Sequence, residues 1–333
     1  ISVSGQSNVS VAATGHLFLS QPGEIGSISL TAPDGVFVTD GSKIDAENRA
    51  NSYYPEPTYR WWIAQPRPGA ISPGVIRLTT PHLVVSGGGQ ISARSTGNND
   101  AGRIVIESRG PNGGLHPLSV SGDGTGVVTA STAGSRNAGS ITARGSQLAL
   151  SGIAFASEAE AGSTGQGGNI ALVASEGMSL NGAQVSAASK STSDAGTVSV
   201  SFSEGLSLRN SIVNTTAQGG NGGAIAFRGG RNILLDNSQV LSSALGSTGD
   251  AGDINVRADT LRLRTGFIQA NSAAAGGHGG DVRIRVNHLV PSFGSLYLGG
   301  NTPIAFQQGA PGLNVIQAAA PNGTPGTVQI LPY

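Results

Sequence analysis

The sequence predicts an all-β chain: one single-stranded, right-handed parallel β-helix of about 28 residues and three strands per coil. Three observations predict it. Residues 196–270 repeat one pattern almost three times, as AGTVSVSFSEGLSLRNSIVNT, GGAIAFRGGRNILLDNSQVLS and AGDINVRADTLRLRTGFIQA. The glycines that open the repeats, from Gly139 to Gly280, recur every 27 to 29 residues. Within each repeat the apolar residues alternate with a period of two, which puts them on one face of an extended strand, and no helical spacing intervenes. A tight period follows if each coil stacks on the last, because a one-residue slip turns every inward side chain outward.

Taken in order, residues 1–25 carry three short alternations, Ile1/Val3, Val9/Val11 and Leu17/Leu19, which read as an N-terminal coil without the glycine signature. From Gly26 the pattern settles into Ile28/Leu30, Val36/Val38 and Ile44. An insertion rich in aromatics and proline occupies 45–73 and holds five of the fifteen aromatic residues. Gly74 then leads Ile76/Leu78, Leu83/Val85 and Ile91. Gly102 leads Ile104/Ile106, and after a second insertion at 110–117 come Leu118/Val120 and Val127. Gly139 leads Ile141, Leu148/Leu150 and Phe155, and Gly168 leads Ile170/Leu172, Met178/Leu180 and Val185. In the next three repeats the third strand centres on Val213, Val240 and Ile268, each preceded by a turn residue, Asn210, Asn237 or Gly266. Gly280 leads Val282/Ile284, and residues 291–333 form an irregular last coil or cap. Both insertions fall at corners, where stacking tolerates them. The whole chain, 1–333, reads as one domain.

Glycine at the corners is expected to supply positive φ without a Cβ clash. Asn and Asp tolerate the same conformation and bond their own backbone, which suits Asp100, Asn137, Asp194 and Asp250, two residues before an opening glycine.

Composition excludes several function classes. Charged residues are 11% of the chain, where about 25% is typical. Lys+Arg and Asp+Glu balance at 19 each, so no basic field points to nucleic acid or an anionic membrane. Cysteine is absent, which removes disulfides, thiolate zinc sites and cysteine nucleophiles. No apolar run approaches a membrane span and no signal peptide opens the chain. A first residue of Ile rather than Met suits a mature product or an excised segment.

The repeat, as Asp250-Ala251-Gly252-Asp253-Ile254-Asn255-Val256 and Gly182-Ala183-Gln184-Val185-Ser186-Ala187, is similar to those of filamentous-haemagglutinin-like exoproteins, the secreted partners of two-partner secretion systems. The tail Val315-Ile316-Gln317-Ala318-Ala319-Ala320-Pro321-Asn322-Gly323, with Gly326-Thr327-Val328, resembles the end of the repeat region in such proteins. The resemblance extends over 26–330. It implies a secreted or cell-surface structural protein of a Gram-negative-type bacterium: an adhesin, or a fibre or matrix subunit. Its expected partners are further copies end to end, or a host or cell-surface protein or glycan.

The search for chemistry finds little. Gly276-Gly277-His278-Gly279-Gly280-Asp281 resembles a single calcium nonapeptide, but such sites need tandem copies. Gly122-Asp123-Gly124-Thr125-Gly126 has no helix after it to cradle a phosphate and reads as a turn. The five histidines, at 16, 82, 116, 278 and 288, are scattered and show no metal-ligand spacing. Polysaccharide lyases and glycosidases built on β-helices use clustered carboxylates, so a carbohydrate-active enzyme is the rival reading. Its candidates are Glu158 with Glu160, and Glu176 with Glu204 at matching turns of neighbouring coils; the reading of solvated turn residues is preferred, with no catalytic residue, metal or cofactor expected. The candidate binding residues are Tyr53, Tyr54, Tyr59, Arg60, Trp61 and Trp62 in the insertion. Exposed Tyr and Trp suit protein or sugar contacts; the alternative is that the two indoles fold back and cover the flank.

Overall fold

The computed structural model describes residues 1–10, 13–17, 23–24, 26–52, 71–292, 295–307 and 312–333, with 13–17, 23–24, 49–52 and 71–72 by backbone alone. The chain is all-β and β-helix-like. No α-helix occurs among the described residues, and the strands pair in parallel into one sheet of ten strands, one of nineteen and two of two strands each.

The ten-stranded sheet collects the strand that follows each opening glycine, from Ser27–Thr31 and Val75–Thr79 through Thr197–Ser201 to Val282–Arg285 and Val328–Leu331. Its register joins equivalent residues: Ile104 to Ile141, then Ile170, Val198, Ile225, Ile254 and Val282. The nineteen-stranded sheet holds two more such columns. One runs Leu148, Met178, Leu206, Ile233, Leu261, Leu289. The other runs Val9, Ile44, Ile91, Val128, Phe155, Val185, Val213, Val240, Ile268, Ile316. These side chains, apart from a few at the two ends, are buried in one continuous apolar core from Val3 to Ala318. Each fully buried Val, Leu or Ile stabilises by roughly 1.5–3 kcal/mol, and the alternating strand pattern serves that core directly.

The expected strands recur with three differences. The third-strand residue after the 110–117 insertion is Val128, which is fully buried, while Val127 is half-buried and points outward. Two adjacent valines leave the facing ambiguous until the register with Ile91 and Phe155 sets it. Leu83 pairs with Val120 rather than Leu118, a shift of two residues that leaves the buried face unchanged. In the repeats after Gly223 and Gly252 the second and third strands run on as single strands, Asn232–Leu241 and Thr260–Gln269, which is why the two columns belong to one sheet.

The opening glycines do not supply positive φ: none of Gly102, Gly139, Gly168, Gly196, Gly223, Gly252 or Gly280 has it. They are small because their backbones touch. A Cβ on Gly223 would fall against the carbonyl oxygen of Gly196, and one on Gly196 against that of Gly168, with the same relation from Gly102 to Gly280. The left-handed positions sit at the other corner, where Gly152, Gly182, Asn210, Asn237 and Thr265 have φ between 48° and 60°. The turn residue in the third of these repeats is thus Thr265, not Gly266; Gly266 lies in register with buried Ser238.

A β-branched residue in the left-handed region is strained by roughly 1–2 kcal/mol. Thr265→Asn, which places there the residue used at 210 and 237, is expected to stabilise the chain by about 1 kcal/mol. A thermal melt of the variant that is unchanged or lower contradicts this.

Polar side chains stitch the corners. Asp100 Oδ1 accepts from the Asn137 amide at 3.0 Å, Asn137 Oδ1 from Gln166 at 3.0 Å, Asp194 Oδ1 from Asn221 at 2.8 Å, Asn221 Oδ1 from Asp250 at 2.8 Å, and Asp250 Oδ1 from His278 at 2.7 Å. Each short acceptor thus satisfies a backbone donor one repeat further on, rather than in its own turn. At the opposite corner Asn237 Nδ2 donates to Asn210 Oδ1 at 2.6 Å.

The segment after Pro291 is held by buried amides. Gln317, fully buried, donates from Nε2 to the carbonyls of Thr302 at 2.8 Å and Gly299 at 3.2 Å. Its Oε1 accepts from Ile304 N at 3.1 Å, Gln269 Nε2 at 3.3 Å and Asn271 Nδ2 at 3.4 Å. Asn314, also buried, donates to the Ser295 carbonyl at 2.8 Å and accepts from Gly266 N at 3.1 Å. The strand Leu296–Leu298 pairs in parallel with Asn314–Gln317 and lies outermost in that column.

Candidate binding surface

The six insertion residues proposed from the sequence, Tyr53, Tyr54, Tyr59, Arg60, Trp61 and Trp62, lie outside the described residues. The surface must therefore be built from the outward positions of the strands, which alternate with the core positions.

Of the four carboxylates expected to stack on neighbouring repeats, those of Glu158, Glu160 and Glu176 are engaged. Glu158, on the stretch after Ala154–Ala156, accepts from Lys190 Nζ at 2.6 Å and from the Ser186 hydroxyl. Glu160 accepts from both ends of the Arg94 guanidinium, with Arg94 Nε at 2.6 Å, across an intervening repeat. That pairing pushes the Arg94 pKa up. Glu176 accepts from Gln147 Nε2 at 3.0 Å, and Glu204, exposed, stacks on it through a backbone bond at 3.1 Å, as their matching turn positions imply. In the Gly122–Gly126 segment Asp123 accepts from Gly87 N at 2.8 Å, Thr125 Oγ1 at 2.6 Å and Thr125 N at 3.0 Å. These bonds hold its carboxyl well below the usual range, that from the Thr125 hydroxyl foremost. The segment is a corner cap. Asp281, in the nonapeptide-like stretch, is held low by Thr327, whose hydroxyl donates at 2.6 Å.

Among the described residues no three His, Asp or Glu side chains gather as a metal site, and His82, His116, His278 and His288 are exposed and apart. No helix among them is long and apolar enough to cross a membrane.

Glu107 is the one buried carboxylate of the ten-stranded sheet's outer face. Arg109 lies at 2.9 Å and Arg77 at 3.6 Å. The Arg109 hydrogen bond lowers its pKa, opposed by burial and aided by the charges of Arg77 and Arg144. A depressed folded pKa gives stability that is complete above the free-chain value of about 4.3 and lost as pH falls through the lowered value. Melting temperatures of the native chain are expected to drop between pH 6 and pH 3 more steeply than those of Glu107→Gln; parallel curves contradict this.

Two shallow grooves follow the strand faces. The first, about 820 Å³, runs over Ala149, Ser179, Ser207, Leu234 and Arg262 on the second-strand column, with Arg264 at its side. Arg264 is paired with Asp236 at 3.0 Å. The second, about 750 Å³, lies on the ten-stranded sheet between Phe202, Arg228, Arg257, Arg285, Asn255 and Tyr333. Its wall is shaped by Gly229, where a Cβ would enter the Phe202 ring. Tyr333 lies over Arg257, with the guanidinium carbon 4.9 Å from the ring centre, and its hydroxyl donates to the Gly229 carbonyl at 3.3 Å.

Sequence reasoning missed this basic groove. The signal was present: the chain has 17 Arg against 2 Lys, and every cationic residue from 209 onward is Arg. A balanced total of charges hid their distribution.

No family model, no curated protein and no solved structure matches the chain.

Proposed function

We propose that the chain is a right-handed β-helix of about 28 residues and three strands per coil, and that it belongs to a secreted or surface-displayed structural protein. It acts as an adhesin, or a fibre or matrix subunit, through surface binding and self-association rather than catalysis, in the manner of filamentous-haemagglutinin-like exoproteins. The observation that carries the non-catalytic reading is the state of the carboxylates. Glycoside cleavage needs an acid with a raised pKa beside a second carboxylate. Here Glu158 and Glu160 are each tied to a cation. Glu107, Asp123, Asp259 and Asp281 are all held low by hydrogen bonds. The outward faces instead offer long open grooves, the form suited to a ligand laid along the surface.

The test is incubation with a panel of neutral and acidic polysaccharides, reading both retention and cleavage. Retention with no new reducing ends and no unsaturated products is expected. Release of either product overturns the reading in favour of a carbohydrate-active enzyme.

A further inference from the structure

We propose that the groove on the ten-stranded sheet binds an acidic polysaccharide, whose carboxylate or sulfate groups are held by Arg228, Arg257 and Arg285. The inference rests on the lateral-binding reading above and names its ligand class. The three arginines occupy one register column: Arg228 pairs with Arg257, and Arg257 with Arg285. All three are exposed, and none makes an ion pair among the described residues.

Like charges directly opposed on neighbouring strands repel. Several other outward arginines are given a carboxylate. In the adjacent column Arg283 is bound by Asp253 at 3.2 Å and by Asp281. Arg264 has Asp236, and Arg77 and Arg109 have Glu107. Among the described residues only here are three guanidiniums stacked with no counter-ion, and Arg231 adds a fourth exposed cation at the neighbouring corner. A local rule broken without compensation marks a site where the missing partner is a ligand. Guanidinium matches it well, since its planar fork takes carboxylate or sulfate oxygens in pairs.

The rest of the groove favours sugar over other polyanions. Strands follow one another at about 4.8 Å, close to the advance of one sugar ring along its chain, so acid groups on a polysaccharide can meet successive arginines. Asn255 and Ser203 line the groove with groups suited to hydroxyls. The exposed face of Tyr333, fixed beside Arg257, suits stacking on a ring.

The experiment uses the full chain with immobilised dextran sulfate, polygalacturonate and neutral dextran, at rising salt, with single-stranded DNA as a further arm. The native chain is expected to bind at least one acidic glycan, with affinity falling as salt screens the contacts, and to ignore neutral dextran. Which acidic glycan is retained tells sulfate from carboxylate. The triple variant Arg228→Gln/Arg257→Gln/Arg285→Gln is expected to lose at least tenfold in affinity. It relieves repulsion, so its melting temperature is expected to equal or exceed the native one. Arg103→Gln, exposed on the same sheet several repeats before the groove, is expected to bind like the native chain. Undiminished binding by the triple variant overturns the assignment while leaving lateral binding intact. DNA held as tightly as the glycan, or no glycan retained at low salt, also overturns it. Loss of binding in the variant together with cleavage of the glycan by the native chain keeps the site and overturns the non-catalytic reading instead.

Discussion

Alanine at Gly223 lowers the stability of the chain by about 3 kcal/mol or more, whereas alanine at Gly114 raises it by roughly 0.4–1 kcal/mol. The two substitutions are chemically identical. At a site with ordinary φ, Gly→Ala stabilises by roughly 0.4–1 kcal/mol through the unfolded chain. Both glycines have ordinary φ, so the difference is steric. At Gly114 nothing lies within 4 Å of the added methyl. At Gly223 the methyl meets the carbonyl oxygen of Gly196, and Gly223 is itself the floor against which Gly252 packs. That carbonyl belongs to backbone already bonded into the stack, so it cannot swing aside as a side chain would. The disturbance must spread to the flanking strands Thr197–Ser201 and Ile225–Arg228, whose register depends on close approach at this corner. Urea unfolding of both variants measures the effect; a Gly223→Ala midpoint equal to that of Gly114→Ala contradicts the close-stacking account.

Gln317→Leu, nearly equal in size, is expected to destabilise the last repeats by about 3 kcal/mol. Leucine would leave the carbonyls of Gly299 and Thr302, the amide of Ile304 and the side-chain donors of Gln269 and Asn271 without this partner. A buried polar group stripped of its bond costs about 1–3 kcal/mol. The costs do not sum, because residues 299–304 can move out to water. The loss is therefore local. Hydrogen exchange by mass spectrometry is expected to quicken over 296–306 and to stay native over 140–215. Uniform loss of protection along the chain, or none, contradicts the assignment of Gln317 as the pin of this segment.

The architecture was legible because stacking imposes one constraint at every repeat. Each layer must present apolar residues at the same offsets, so the columns Ile141/Ile170/Val198 and Val185/Val213/Val240 stand in the sequence as a period. The period stops being informative where both candidates are apolar, as at Val127 and Val128, since facing is then decided by the neighbours. The glycines were placed correctly for a reason the sequence does not carry. A residue chosen for close approach and one chosen for positive φ look alike in a single chain, and only the geometry separates Gly223 from Gly182. Thr265 shows the converse: a strained residue in the left-handed region cannot be foreseen from propensity. The basic groove was hidden for a different reason. Arg228, Arg257 and Arg285 are 28 or 29 residues apart, so they become one cluster only after the repeats are laid on one another. A surface column has no composition signature, because its charges are offset by carboxylates elsewhere on the chain.

The central claim is that successive repeats lie on one another in register, one strand spacing apart. Cysteine is absent from the chain, so spin labels can be placed in pairs without background. The outward column Ser29, Arg77, Val105, Thr142, Ala171, Ser199, Ala226, Asn255, Arg283, Gln329 supplies the ruler. With one label at Gln329 and the second at Ala171, Arg77 or Ser29, double electron–electron resonance is expected to give distances near 24, 38 and 43 Å, rising by about 4.8 Å per repeat. Distances that level off with sequence separation, as they would in a compact globule, contradict the account.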